Sequence, residues 1–264
     1  MLSMPILLFH ILQTSHFCSK KKPVLLVYHS GGIYGTGVVG FFASVYKRFE
    51  KEMLTNADIL VGVSNFVKER IGADRVIEPG VDLNFFKPGG FKEDYILFVG
   101  QLNKGHEWKG LNTLLEVISR SGAKLVVVGG GEMLGEYKEI AHKLKADVTF
   151  KGFVEDSLLV ELYSRAKVFV LPSKSDQESF GMSLLEANAC GTAVVGTRVG
   201  GIPYYIREGK NGVLCEPKVD ELVDAIFVAK ENYRKMGKIG RRISEKYSWD
   251  VSSRKTEKEL EKLV

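Results

Sequence analysis

From residue 23 onward the chain alternates short, unbroken apolar runs with longer amphipathic stretches. PVLLVYH (residues 23–29), DILVGV (58–63), YILFVG, KLVVVGGG, DVTFKGF, VFVLP and TAVVGT are the apolar runs. They are rich in Val, Leu and Ile and too short for buried helices, so they read as strands buried on both faces. Between them lie helical stretches such as LNTLLEVISR, MLGEYKEIAHKL, SLLVELYSRA and FGMSLLEANAC. This alternation predicts an α/β protein built on parallel sheets with helices on both faces. Ligands of such sheets sit at the carboxyl ends of the strands.

The rhythm is interrupted once, at RVIEPGVDLNFFKPGG (75–90), which is dense in Pro and Gly and reads as a linker. It separates residues 1–90, with too few strands for a whole Rossmann-like unit, from 91–248, a complete one. Residues 38–53 read as a helix, and Ser64 as the N-cap of NFVKERI. VDELVDAIFVAK and a second helix from Tyr233 close the chain. The apolar start, MLSMPILLFHIL, is shorter than the roughly 20 residues that span a bilayer. It lacks the basic residues that open a signal peptide and reads as a buried strand.

The formal charge of +5 is mostly lysine, alternating with glutamate as in KRFEKEM. That pattern is a solvated helix face rather than a nucleic-acid surface, so no nucleic-acid partner is expected. A weak attraction to phosphate-rich substrates or anionic lipid surfaces is compatible with it. Cys18, Cys190 and Cys215 form no CxxC pair, which argues against a disulfide framework and a structural zinc site. They read as small buried residues in a reducing, cytoplasmic setting.

The standard nucleotide-binding motifs are not met. A GxGxxG begun at Gly129 has Gly131 in place but Leu134 in the third position. No GxxxxGK[ST] occurs, and HEW at His106 lacks the second histidine of a zinc motif, so no metal site is expected. What remains is a strand, a polar loop and a helix opening at about Phe180, in VFVLPSKSDQESFGMSLLEANACGTAVVGTRVGG. The unpaired N–H groups near Phe180, Gly181 and Met182 form an anion site suited to a diphosphate. Glu178 precedes that helix and Glu186 lies within it. Eight residues at about 1.5 Å each is roughly 12 Å, enough to place one carboxylate on a sugar and one on a ribose. A helix-dipole acid plus an ordinary surface glutamate explains the pair equally well. In FVGQLNKGHEWKG, Lys109 would extend a cation toward the strand ends. Lys104 is the alternative; both also read as solvated loop lysines, and for Lys104 that is the better reading. Gly129, Gly130 and Gly131 would let a third strand end approach a ligand; a plain tight turn is the other reading.

These residues resemble the retaining glycosyltransferases of the GT-B fold, glycosyltransferase family 4. The family's Glu–seven residues–Glu motif stands here as ESFGMSLLEANACGTAVV, with Glu178 and Glu186 in register. VGGIP (199–203), NGVL (211–214), GFVEDSLLVELYSRAKVFVLPS (152–173), SNFVKERIGADRVIEPGVDLNFFKP and YSWD (247–250) also match. The resemblance implies an α/β fold of GT-B type: residues 1–90 a partial, acceptor-side unit, 91–248 the nucleotide-sugar domain, and 249–264 a helix crossing back. It implies transfer of a sugar from a UDP-, GDP- or ADP-sugar to a hydroxyl acceptor (a sugar, glycan or lipid-linked acceptor), with retention and no obligatory cofactor. Glu178 would hold the donor sugar, Glu186 the ribose, Phe180, Gly181 and Met182 would supply N–H groups, and Lys109 would neutralise the leaving diphosphate. Gly130 and the Val154 backbone would meet the nucleotide, and His29 would face the sugar.

Three departures from the family pattern count. Gln101 stands where the family carries Arg, with Lys104 available to compensate. Tyr204 replaces a usual Glu. Nothing before residue 23 resembles the family's opening glycine-rich loop. The chain is then truncated, or a partner chain supplies the missing half, or the acceptor site is gone. The competing reading is a nucleotide-sugar-binding module or subunit that is inactive without that half. The expected location is cytoplasmic, with peripheral attachment at the inner membrane surface.

Overall fold

The structure, a computed structural model, describes residues 23–29 and 50–263. The strand expected at the N-terminus, Cys18 and most of the helix expected over 38–53 lie outside the described residues. Two parallel sheets are present among them. The smaller contains β1 (Leu25–Tyr28), β2 (Ile59–Gly62) and β3 (Arg75–Val76), with Tyr28 opposite Gly62 and Val61 opposite Arg75. Helix α1 (Asn65–Ile71) joins β2 to β3. Ser64 caps it, as expected: its Oγ accepts from the Val67 N–H at 3.2 Å.

The larger sheet contains β4 (Glu93–Val99), β5 (Leu125–Val128), β6 (Val148–Gly152), β7 (Ala166–Leu171), β8 (Ala193–Thr197) and β9 (Gly212–Cys215). Its order is β6-β5-β4-β7-β8-β9. The winding direction therefore reverses between β4 and β7, which opens a crevice beyond their carboxyl ends. Successive side chains point to opposite faces. Ile96, Val127, Val168 and Val195 pack against α2 (Leu111–Ser121), α3 (Leu134–Lys143) and most of α7 (Val219–Ser244). Leu97, Val126, Phe169 and Val194 pack against α4 (Asp156–Arg165), α5 (Met182–Ala189) and α6 (Ile202–Tyr205). Each such fully buried side chain contributes about 1.5–3 kcal/mol of transfer free energy.

One expectation fails here. The two helices read after residue 218 are the single 26-residue helix α7. No proline breaks it near Tyr233, and the Asn232 amide folds back onto the Val228 carbonyl at 2.9 Å. Its Gly237 and Gly240 serve close packing. A Cβ on Gly237 would lie 2.2 Å from the Gly191 carbonyl oxygen, and one on Gly240 2.5 Å from the Asn188 side chain.

The chain passes between the two units at Val81 and again at Ser248, and these two crossings are paired with each other. The Val81 N–H donates to the Tyr247 carbonyl at 2.8 Å. Helix α8 (Trp249–Leu260) then lies along the first unit. Ser252 Oγ donates to the Glu78 carbonyl at 2.9 Å, and Lys255 pairs with the Glu78 carboxylate at 2.7 Å.

Candidate active site at the switch between β4 and β7

The loops after β4 and β7 meet in direct backbone contact. After β4 the chain makes a 3-10 turn, Lys104–Lys109, and enters α2 through Gly110 at φ 78°. A Cβ on Gly110 would lie 2.0 Å from the Pro172 carbonyl oxygen, so no larger residue fits. The Lys174 N–H donates to the Trp108 carbonyl at 2.7 Å. This apposition brings Lys109 Nζ to 3.4 Å from Glu178 Oε2. Both side chains are largely buried, and the Trp108 ring lies under Lys109 Nζ at 4.8 Å. The three buried polar side-chain atoms that lack a partner among the described residues lie in these two loops and at the start of α2: His106 Nδ1, Ser173 Oγ and, on α2, Asn112 Oδ1. Burial, and next the charge of Lys109, lower the His106 pKa.

Glu178 is held by its backbone. Its carbonyl accepts from the Gly201 N–H at 2.7 Å. Gly200, at φ 54°, comes so close that an added Cβ would lie 2.1 Å from the same oxygen. Helix α5 starts at Met182 rather than at Phe180, because Gly181 takes a left-handed conformation (φ 89°) and becomes the N-cap. Residues 178–181 are therefore loop, and the 12 Å helical spacing drawn from Glu178 to Glu186 does not apply over them. Among the described residues, the N–H groups of Phe180, Gly181, Met182 and Ser183 have no partner. The Phe180 ring turns the other way, into the core, 5.6 Å from Tyr205 and 5.9 Å from Tyr247.

Glu186 lies in the second turn of α5. The buried Tyr163 hydroxyl donates to its Oε2 at 2.8 Å. Burial pushes the Glu186 carboxyl up to about 6, opposed by that hydrogen bond and by the charge of Lys109. The sequence reading missed Tyr163. Its signal was a polar-tipped aromatic on the apolar face of α4, where a buried hydroxyl needs a partner.

A third strand end closes the crevice. Gly129, at φ 125°, packs so tightly that a Cβ would lie 1.9 Å from the Gly100 carbonyl oxygen. The exposed Phe153 ring covers Gly130, and the half-buried Val154 follows it. Gln101 is exposed and makes no hydrogen bond among the described residues. Lys104 is also exposed, with its N–H on the Glu132 carboxylate at 3.2 Å. His29 directly follows β1, is exposed, and has no hydrogen bond to Glu178 or Lys109 among the described residues. The structure thus gathers Lys109, Glu178, Phe180, Gly181 and Met182, and brings Glu186 within reach of the Lys109 charge. It leaves Gln101 and Lys104 exposed in the loop after β4, and does not bring His29 into contact with this group.

Residues 82–246 match the family model described as glycosyl transferases group 1. A D-inositol 3-phosphate glycosyltransferase of Corynebacterium jeikeium is 31% identical over 254 residues, covering 81% of this chain and 59% of that protein. The chain spans about half the length of the curated relatives it matches. Among solved structures, sucrose-phosphate synthase from Thermosynechococcus elongatus superposes with TM-score 0.82 at 23% identity, over 96% of this chain and 70% of that one. HepE of Anabaena in complex with UDP-glucose superposes with TM-score 0.75 at 19% identity, over 96% and 76%. At these identities the superpositions establish the fold.

Proposed function

Because the chain belongs to the group 1 glycosyltransferases, we propose that it transfers a sugar from a nucleotide-sugar donor to a hydroxyl acceptor, with retention at the anomeric carbon. The observation that carries this reading is the Lys109–Glu178 pair at the switch crevice, beside four partnerless amides at the start of α5. A nucleoside diphosphate sugar offers each group a match. The diphosphate takes Lys109 and the amides of Gly181, Met182 and Ser183, whose charge and dipole favour anions, and the sugar takes the Phe180 amide. The sugar hydroxyls donate to Glu178, and the ribose hydroxyls to Glu186. The acceptor oxygen bonds to the anomeric carbon as the bond to the diphosphate oxygen breaks, and the acceptor proton passes to the departing phosphate. Lys109 and the amides stabilise the charge that develops there, a type of contribution often worth several kcal/mol.

The UDP-glucose bound by HepE supports a nucleotide-sugar donor, and the inositol phosphate in the relative's name supports a hydroxyl acceptor. Sugar, glycan and lipid-linked acceptors all fit this chemistry. Among the described residues no helix is long and apolar enough to cross a membrane. In this reading the chain works in the cytoplasm, peripheral to the inner membrane surface when its acceptor is lipid-linked.

The test is a thermal-shift panel of UDP-, GDP- and ADP-sugars on the native chain and on Glu186→Ala. A ligand at about 100 times its dissociation constant adds roughly 2.7 kcal/mol, a rise of roughly 5–10 °C at this size. One nucleotide class is expected to stabilise the native chain and not the variant. Stabilisation by none of them overturns the reading.

A further inference from the structure

Three contacts reach from α1, in the first unit, to the segments around Glu178 in the second. Ser64 Oγ donates to the Ser179 carbonyl at 2.6 Å. Tyr204, one of the residues that depart from the family pattern, donates its hydroxyl to Glu69 at 2.9 Å, and Arg70 lies 3.5 Å from Asp176. The last two are exposed and contribute little individually. Ser64 differs from them: it is 2% exposed.

The Ser64 hydroxyl has one proton and two lone pairs. It accepts from the Val67 N–H and so has its proton to give to the Ser179 oxygen. That oxygen belongs to the same peptide plane as the Phe180 N–H. In a trans peptide the two point in opposite directions. Fixing the carbonyl on Ser64 therefore fixes where the Phe180 N–H points. Polarisation of the carbonyl also strengthens that N–H as a donor. The preceding carbonyl, that of Glu178, is pinned by Gly201. Two consecutive carbonyls are thus held, one by each unit. Ser64 itself has little freedom, because α1 packs so closely on β2 that a Cβ on Gly62 would lie 2.8 Å from the Lys68 nitrogen.

We propose that Ser64 is a positioning residue of the donor site: across the boundary between the units it sets the orientation of the Phe180 N–H and of the loop that bears Glu178. The first unit then completes the sugar subsite through the backbone, without touching the donor itself at this point. The consequence for the donor rests on the transferase reading above; the clamp on the loop does not.

The test compares Ser64→Ala, Ser64→Asp and Ser64→Thr in the full chain. Aspartate still accepts from the Val67 N–H and caps α1, but cannot donate to the Ser179 carbonyl. Threonine retains both functions. Hydrogen exchange of the bonded amides of this loop, those of Gln177, Glu178 and Gly201, is read first. It is expected to accelerate about tenfold in the Ala and Asp variants and to return toward native in Thr, while α1 stays protected in Asp. Unchanged exchange of this loop in Ser64→Asp overturns the proposal, whether or not any donor binds. Affinity is read next, for UDP against UDP-glucose and GDP against GDP-mannose. The gain from adding the sugar is expected to shrink about tenfold in Ser64→Asp, with affinity for the free diphosphate unchanged. Equal weakening of diphosphate and nucleotide sugar marks a merely structural role and overturns it. A native chain that binds none of the four sinks the transferase reading instead, and leaves the exchange result to decide the clamp.

Discussion

Lys109 and Glu178 neutralise each other across 3.4 Å while each faces the crevice. A donor that takes Lys109 with its diphosphate and Glu178 with its sugar replaces both halves of this pair at once. Glu178→Gln is expected to lower kcat by about 10²–10³-fold with the melting temperature nearly unchanged, and Lys109→Ala to lower it by a similar factor. Because the two touch, the double variant is expected to lose less than the product of the single losses. Steady-state rates with the donor found in the panel check this, and full activity of Glu178→Gln refutes the assignment.

Glu186 gives two pH dependences of opposite sign. Burial holds its carboxyl at about 6, above the ordinary 4.5. The folded chain therefore binds this proton more tightly than the unfolded chain does. The stability this group contributes is fully present below about pH 4.5 and is lost as pH rises through about 6. Nucleotide affinity needs the ionised acceptor and falls as pH drops through about 6. Calorimetric titration with the nucleotide, beside melting curves of the ligand-free chain, checks both, and Glu186→Gln should flatten both. Tyr163→Phe removes a hydrogen bond that lowers this pKa, so the midpoint should move up.

Gly129→Ala should destabilise the fold. Its φ of 125° and the 1.9 Å approach to the Gly100 carbonyl leave an alanine no room. A loss of about 3 kcal/mol is expected, or roughly 6–12 °C in the melting temperature. A melting curve that overlays the native one contradicts the close contact between the β4 and β5 ends.

Burial pushes the Cys190 and Cys215 thiols to about 12. Neither should carry iodoacetamide label after treatment of the native chain at neutral pH, while both should label in denaturant. Peptide mapping by mass spectrometry reads this directly.

The α/β class was legible because strands buried on both faces leave unbroken Val- and Leu-rich runs, and these stand at β4, β5, β7 and β8. Glu178 and Glu186 were legible because they lie eight residues apart on one strand-loop-helix segment. Contacts between remote segments were not. Ser64 and Ser179 are 115 residues apart, and nothing local in either sequence requires the other. Tyr163 reads as core until α5 is packed beside α4. The opening of α5 was misread by two residues because a glycine before a helix is compatible with several caps, and only the packing selects the left-handed one. The continuity of α7 was missed because Gly237 and Gly240 weaken helix propensity locally, whereas their reward, close approach to Gly191 and Asn188, is tertiary.

The paired crossings at Val81 and Ser248 bear on how the crevice opens. A single connecting strand acts as a swivel and permits rotation about any axis. Two connecting segments bonded side by side act as a strap hinge, compliant across its own plane and stiff against twist and sideways shear. Any motion of one unit against the other would thereby be confined to a swing about one line. A closure along that line would return Ser64 to the Ser179 carbonyl in the same register.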